Sequence, residues 1–143
     1  MRDRVEEIRA LGAEPVSLER LLAESDFLSV HAPKSPETAG MLGRDAFARL
    51  KPGAFLINCA RGGIVVERDL LEALEQGRLA GAAIDVYEQE PPHERALAEH
   101  PRVIATPHIG ASTREAQVVV AEMIADQVGR FLISGEVVNA VNR

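Results

Sequence analysis

The sequence predicts an α/β fold built on a parallel sheet, and three observations carry that reading. Apolar runs short enough for strands alternate along the chain with helically spaced ones. One of them, Ala54-Phe55-Leu56-Ile57-Asn58, is almost continuously apolar, the pattern of a parallel strand buried on both faces. Polar residues suited to chemistry fall just after the strand candidates, where parallel sheets gather their ligands.

Each element has a local reason. Val5, Ile8 and Leu11 lie at helical spacing across residues 1–11, and Gly12 ends that run. Residues 14–17 suit a short strand, and Ser17 can cap a helical turn carrying Leu18, Leu21 and Leu22. Residues 26–31 read as a strand stopped by Ala32-Pro33. A short helix over 42–50 places Leu42, Ala46, Phe47 and Leu50 inward, and Pro52-Gly53 turns the chain into the strand at 54–58. A helix over 67–75 points Leu70, Leu71 and Leu74 inward and closes at Gly77. Residues 81–86 form the next strand, a helical turn is expected near 94–98, and 103–105 is the last strand. Ser112 or Thr113 then caps a long helix reaching Ile133. Its apolar stripe is Ala116, Val119, Val120, Met123, Ile124, Val128, Phe131 and Leu132, and Ser134-Gly135 ends it.

Composition narrows the function classes. With 143 residues, 46% hydrophobic and 27% charged, the chain has the balance of one folded domain or part of one, without a linker, repeat or low-complexity tract. A net charge of -6 with no basic run argues against nucleic acid and acidic membranes as partners. One Cys and four scattered His match no zinc pattern, so no metal is expected. The charged start, with no apolar stretch after it, reads as neither a signal peptide nor a span, and a cytoplasmic location is expected.

Three polar groups stand out. Arg61 lies between a buried strand and Gly62-Gly63, where a planar guanidinium suits bidentate capture of a carboxylate; the alternative is a surface arginine beside a turn. His108 follows Thr106-Pro107 and leads into a helix start, and histidine is the side chain that exchanges a proton near neutrality; the alternative is a structural histidine bonded to backbone. Glu88 and Glu90 follow Asp85, with Pro91-Pro92 stiffening the chain. A carboxylate beside a histidine orients the ring and favours its charged form, whereas the plain alternative is a solvated acidic loop. Asp85 could orient a polar ligand group or cap a turn. His31, His93 and His100 read as structural, and Cys59 as a small buried residue rather than a nucleophile. No G-x-G-x-x-G phosphate loop occurs.

These same segments resemble a known family. His31-Ala32-Pro33-Lys34-Ser35-Pro36-Glu37-Thr38, the run from Leu50-Lys51-Pro52-Gly53 to Arg61-Gly62-Gly63, Asp85-Val86-Tyr87-Glu88-Gln89-Glu90-Pro91, and Thr106-Pro107-His108-Ile109-Gly110-Ala111-Ser112-Thr113 are similar to motifs of the D-isomer-specific 2-hydroxyacid dehydrogenases, in order and nearly end to end. The closing Val137-Val138-Asn139-Ala140-Val141-Asn142 most resembles the branch acting on 3-phosphoglycerate. The resemblance implies NAD as cofactor, a small anionic 2-hydroxy or 2-keto acid as substrate, and a homodimer formed through cofactor domains. It implies that Arg61 binds the substrate carboxylate and carbonyl oxygen, that His108 is the acid/base with Glu90 as its partner, and that Asp85 holds the nicotinamide carboxamide. Backbone near His31, Cys59, Ala60 and Gly110, with Arg61 and His108, would border the cofactor. Val66 departs from the family, which usually has an acidic residue there.

By resemblance the fold is an incomplete Rossmann-like sheet of about five strands, lacking the family's first two strands, its glycine loop and its substrate lobe. Residues 1–143 would be a partial NAD-binding domain, with 134–143 starting the return towards the substrate domain. The isolated chain is then expected to be a piece of a longer dehydrogenase, poorly active or inactive. A non-catalytic NAD(H)-binding sensor and a structural remnant are the competing readings.

Overall fold

A computed structural model describes residues 2–110 and 112–140. The start of the first helix at Met1, and Ala111, Val141 and Asn142 of the motifs above, lie outside the described residues. The chain forms two compact units, Met1–Pro107 and His108–Arg143.

In the first unit the elements run α1 (Arg2–Ala10), α2 (Leu18–Glu24), β1 (Phe27–Val30), α3 (Arg44–Arg49), β2 (Ala54–Asn58), α4 (Glu67–Glu75), β3 (Leu79–Ile84) and β4 (Val103–Ala105). The four strands lie in the order β1-β2-β3-β4, all parallel. Helices α3 and α4 make the first two crossovers, as parallel neighbours require. The third crossover carries no helix, and near residues 94–98, where a helical turn is expected, Glu99 N–H donates to Arg95 O, the i to i+4 bond of a single helical turn, and His100 N–H to Leu97 O.

The expected strand at residues 14–17 does not join the sheet, which has four strands among the described residues rather than about five. A strand persists only where a neighbour takes its backbone groups, and this segment has none. Instead Glu14 pairs with Arg20 at 2.6 Å, and Ser17 is the α2 cap, its Oγ accepting from Arg20 N–H at 3.3 Å. Strand β3 begins at Leu79, two residues earlier than expected, because Leu79 is fully buried and pairs with Ala54; a register shift after Ala54 absorbs Ala80.

The core lies on one face of the sheet. Leu28 and Val30 of β1, Ala54 and Leu56 of β2, and Leu79, Ala82 and Ile84 of β3 pack with Leu22 of α2, Phe47 of α3, and Leu70 and Leu74 of α4. The apolar run of β2 therefore does not mean burial on both faces in this unit. Phe55 points the other way, stacks on Phe27 with centroids 5.1 Å apart, and both rings are exposed, as is Ile104 of β4. Period-two alternation sends 54, 56 and 58 inward and 55 outward.

The second unit is dominated by α5 (Arg114–Ser134). Thr113 rather than Ser112 caps it, with Oγ1 accepting from Ala116 N–H at 3.1 Å, and Gly135 closes it in a left-handed conformation. None of its residues is buried, so the stripe from Val119 to Leu132 is exposed. No helix among the described residues is long and apolar enough to cross a membrane.

Candidate functional site

The parallel sheet brings the ends of β1, β2 and β3 to one edge, and the loops that follow them carry most of the candidate residues. Val30 of β1 is in register with Asn58 of β2, and Asn58 with Ile84 of β3. His31, Cys59 and Asp85 each stand one position further along, side by side in space although up to 54 positions apart in sequence.

Asn58 is the residue that the sequence reading missed. It is 2% exposed at the inward end of β2, its amide donates to Arg61 O at 3.3 Å, and its Oδ1 accepts from Ala60 N–H at 3.2 Å. Its backbone carbonyl also accepts from Asp85 N–H at 3.0 Å. A buried amide must satisfy its hydrogen-bonding groups, and here it does so by folding the loop that presents Arg61. A polar residue ending an apolar strand was the signal available. Cys59, expected to be buried, is exposed, because alternation at the strand end turns 58 inward and 59 outward.

Arg61 is exposed, its Nη1 donates to Ala60 O at 2.7 Å, and it makes no ion pair among the described residues. It borders a groove of about 310 Å³ with His31, Ala32, Pro33 and Ala60. His31 Nε2 lies 2.9 Å from Ser29 Oγ. The double glycine after Arg61 has two separate reasons. Gly62 lies so close to Tyr87 that a Cβ there would stand 1.6 Å from the Tyr87 carbonyl oxygen, and Gly63 has a left-handed φ of +79°.

Asp85 is 5% exposed and accepts a 2.6 Å hydrogen bond from the Thr106 hydroxyl. Tyr87 is buried; its hydroxyl donates to Thr106 O at 3.2 Å, and its N–H donates to Glu90 Oε1 at 3.1 Å. Burial first, and then the carboxylates of Glu67, Asp85 and Glu90, push the Tyr87 phenol up from its usual range. Three acids thus lie near Tyr87, the residue against which Gly62 rests. Burial also raises the Glu67 carboxyl, with further upward contributions from Glu88 and Glu90 against a hydrogen bond from the Glu88 amide that lowers it.

His108 opens the second unit and is exposed, with a left-handed φ of 55°. A non-glycine residue there carries strain of the kind that collects at functional positions. Its carbonyl accepts from Ser112 Oγ at 3.1 Å, and Gly110 lies in the same exposed turn. His100, read as structural, accepts the Arg102 N–H through Nδ1 at 3.1 Å, and His93 is exposed. The first unit therefore brings Arg61, Asp85 and Glu90 into adjoining loops, and His108 stands in the second.

These strand ends offer polar groups that an anionic ligand or a dinucleotide would meet. The groove offers a guanidinium without an anionic partner among the described residues, and Asp85 is fixed by Thr106 one strand away. The glycine-rich loop that would hold the phosphates is not in the sequence.

Residues 1–110 match the family described as D-isomer specific 2-hydroxyacid dehydrogenase, NAD binding domain. The chain is 47% identical to D-3-phosphoglycerate dehydrogenase of Bacillus subtilis over 137 residues, which are 96% of this chain and 26% of that protein. It is 50% identical to D-3-phosphoglycerate dehydrogenase of Sus scrofa over 118 residues, 82% of this chain and 22% of that protein. It thus spans about a quarter of the length of these relatives. Among solved structures, it is similar to a glyoxylate reductase from Paecilomyes thermophila, with a TM-score of 0.86 and 34% identity over 96% of this chain and 42% of that one. It is also similar to D-lactate dehydrogenase with NAD+ from Lactobacillus jensenii, with a TM-score of 0.81 and 31% identity over 91% of this chain and 43% of that one. The partial Rossmann-like sheet and the matched NAD-binding unit make NAD the cofactor. The chain belongs to the D-isomer-specific 2-hydroxyacid dehydrogenases, as part of their NAD-binding domain.

Proposed function

We propose that this chain carries the reaction end of an NAD-dependent dehydrogenase that interconverts a D-2-hydroxy acid and its 2-keto acid, with 3-phosphoglycerate as the substrate, at the entry to serine biosynthesis. The observation that carries the reading is the packing of the Arg61 loop on the Tyr87–Glu90 segment at the ends of neighbouring strands, where an anion-binding group meets an acidic cluster.

Arg61 binds the substrate carboxylate and the C2 oxygen, and its hold strengthens as charge builds on that oxygen. His108 takes the hydroxyl proton in oxidation and returns it in reduction. Glu90 pairs with His108 and stabilises the imidazolium that forms. Asp85, fixed by Thr106, orients the nicotinamide carboxamide, and the backbone at His31, Cys59, Ala60 and Gly110, with Arg61 and His108, borders the cofactor. When bound, NAD supplies the ring that exchanges a hydride with C2 of the acid. Residues 1–143 act as part of an NAD-binding domain, with 134–143 returning towards a substrate domain. Homodimers form through the cofactor domains, and the protein works in the cytoplasm.

The test is NADH formation by the protein isolated intact from its source, with 3-phosphoglycerate, D-lactate and glycerate compared. Turnover with 3-phosphoglycerate is expected, falling by roughly a hundredfold or more in His108→Gln. Tight NADH binding without turnover of any D-2-hydroxy acid would replace the enzyme with a sensor.

A further inference from the structure

Helix α4 begins without a side-chain cap, because Val66 at its cap position has no acceptor to offer. The first amides of a helix need partners from elsewhere. One comes from the far side of the sheet edge: Glu88 Oε1 accepts the Glu67 N–H at 2.9 Å. The exchange is reciprocal, since Glu67 Oε1 accepts the Glu88 N–H. Two loops are thereby stitched together, one leading from Arg61 into α4 and the other running from Asp85 to Glu90.

The stitch is set beside two other tight contacts. Gly62 rests against the Tyr87 carbonyl with no room for a Cβ, and the Tyr87 N–H donates to Glu90 Oε1. The Arg61 loop has its own tie on the opposite side, where Gly40 N–H donates to Gly63 O at 2.8 Å. A shift of the 85–90 segment would therefore move the Glu90 carboxylate relative to a loop that is also tied to Gly40.

We propose that Glu67 and Glu88 are positioning residues, whose reciprocal carboxylate-to-amide hydrogen bonds hold the Glu90 segment in register with the Arg61 loop. The inference rests on the reading of Arg61 and Glu90 given above. It needs an acceptor oxygen and not a charge, so glutamine can serve at position 88 where alanine cannot. Glu88 is exposed, and its truncation leaves no cavity.

The experiment compares the full chain with Glu88→Ala and Glu88→Gln by amide hydrogen exchange, and by NAD-linked turnover of 3-phosphoglycerate. In Glu88→Ala, exchange at the Ala60 and Tyr87 amides is expected to quicken by about tenfold or more, with Leu56 in mid-strand unchanged. Its kcat/KM is expected to fall by about tenfold to a hundredfold, the scale of a misplaced catalytic group. Glu88→Gln is expected to restore both readings. Unchanged exchange at Ala60 and Tyr87 in Glu88→Ala, unchanged kcat/KM, or a glutamine variant as impaired as the alanine one overturns the proposal. Exchange decides the matter in a protein without turnover, an outcome that counts against the proposed reaction alone.

Discussion

Gly62→Ala tests the contact on which the site's architecture depends. The added Cβ would stand 1.6 Å from the Tyr87 carbonyl oxygen, 2.3 Å from the Tyr87 carbonyl carbon and 3.1 Å from the Glu88 nitrogen. A carbon and an oxygen in contact sit about 3.3 Å apart, so the loops must part by roughly 1.7 Å. Both sides are backbone, and no flexible side chain can swing away. Parting strains the Asp85 N–H to Asn58 O bond, the Tyr87 bonds to Glu90 and Thr106, and the Glu67–Glu88 pair. Losing two such bonds at about 1 kcal/mol each, with about 1–3 kcal/mol for overpacking, predicts a destabilisation of about 3–5 kcal/mol. Urea unfolding followed by far-ultraviolet circular dichroism reads that loss directly. Gly53→Ala is the control. A Cβ there meets nothing within 4 Å, so only the strain of a φ of +82° remains, about 1 kcal/mol. A Gly62→Ala variant no less stable than Gly53→Ala would refute the close-packing argument.

Two other perturbations probe the same neighbourhood. Asn58→Ala removes the acceptor for Ala60 N–H and the donor to Arg61 O at a buried position, and a loss of about 2–4 kcal/mol is expected, with a faster-exchanging Ala60 amide. Full retention of Ala60 protection would show that the loop holds its shape without Asn58. The raised Glu67 carboxyl has a definite sign in pH titration. A folded-state pKa above the ordinary 4.5 means that the folded chain holds the proton more tightly; this stabilising contribution is complete below that value and is lost as pH rises through the folded pKa. The stability of the wild type relative to Glu67→Gln should therefore fall as pH is raised from about 4 towards 7. A difference that stays flat or grows over that range would contradict the assignment.

How far the sequence led differs from element to element, for physical reasons. Strand β2 and helices α3, α4 and α5 were legible because their signals are local: apolar periodicity, the turn at Pro52-Gly53, and stops at Gly77 and Gly135. Residues 14–17 misled because a short apolar-polar run is a strand only when another strand pairs with it, and pairing is a long-range fact. Cys59 misled for a related reason, since which side of β2 is buried is set by the helices packed on the sheet.

The sequence by itself determined the chemical inventory: an arginine before two glycines, acids at 85, 88 and 90, a histidine after Thr106-Pro107, and the motifs that place the chain in its family. Tertiary structure alone decided which of these residues lie together. It set Asn58 under the Arg61 loop, pressed Gly62 onto Tyr87, and gave α4 a cap from Glu88, which lies 22 positions after Val66. Hydrogen bonds between loops reward no local preference of the chain; they form because parallel crossovers return each strand end to the same edge of the sheet, where residues far apart in sequence become neighbours.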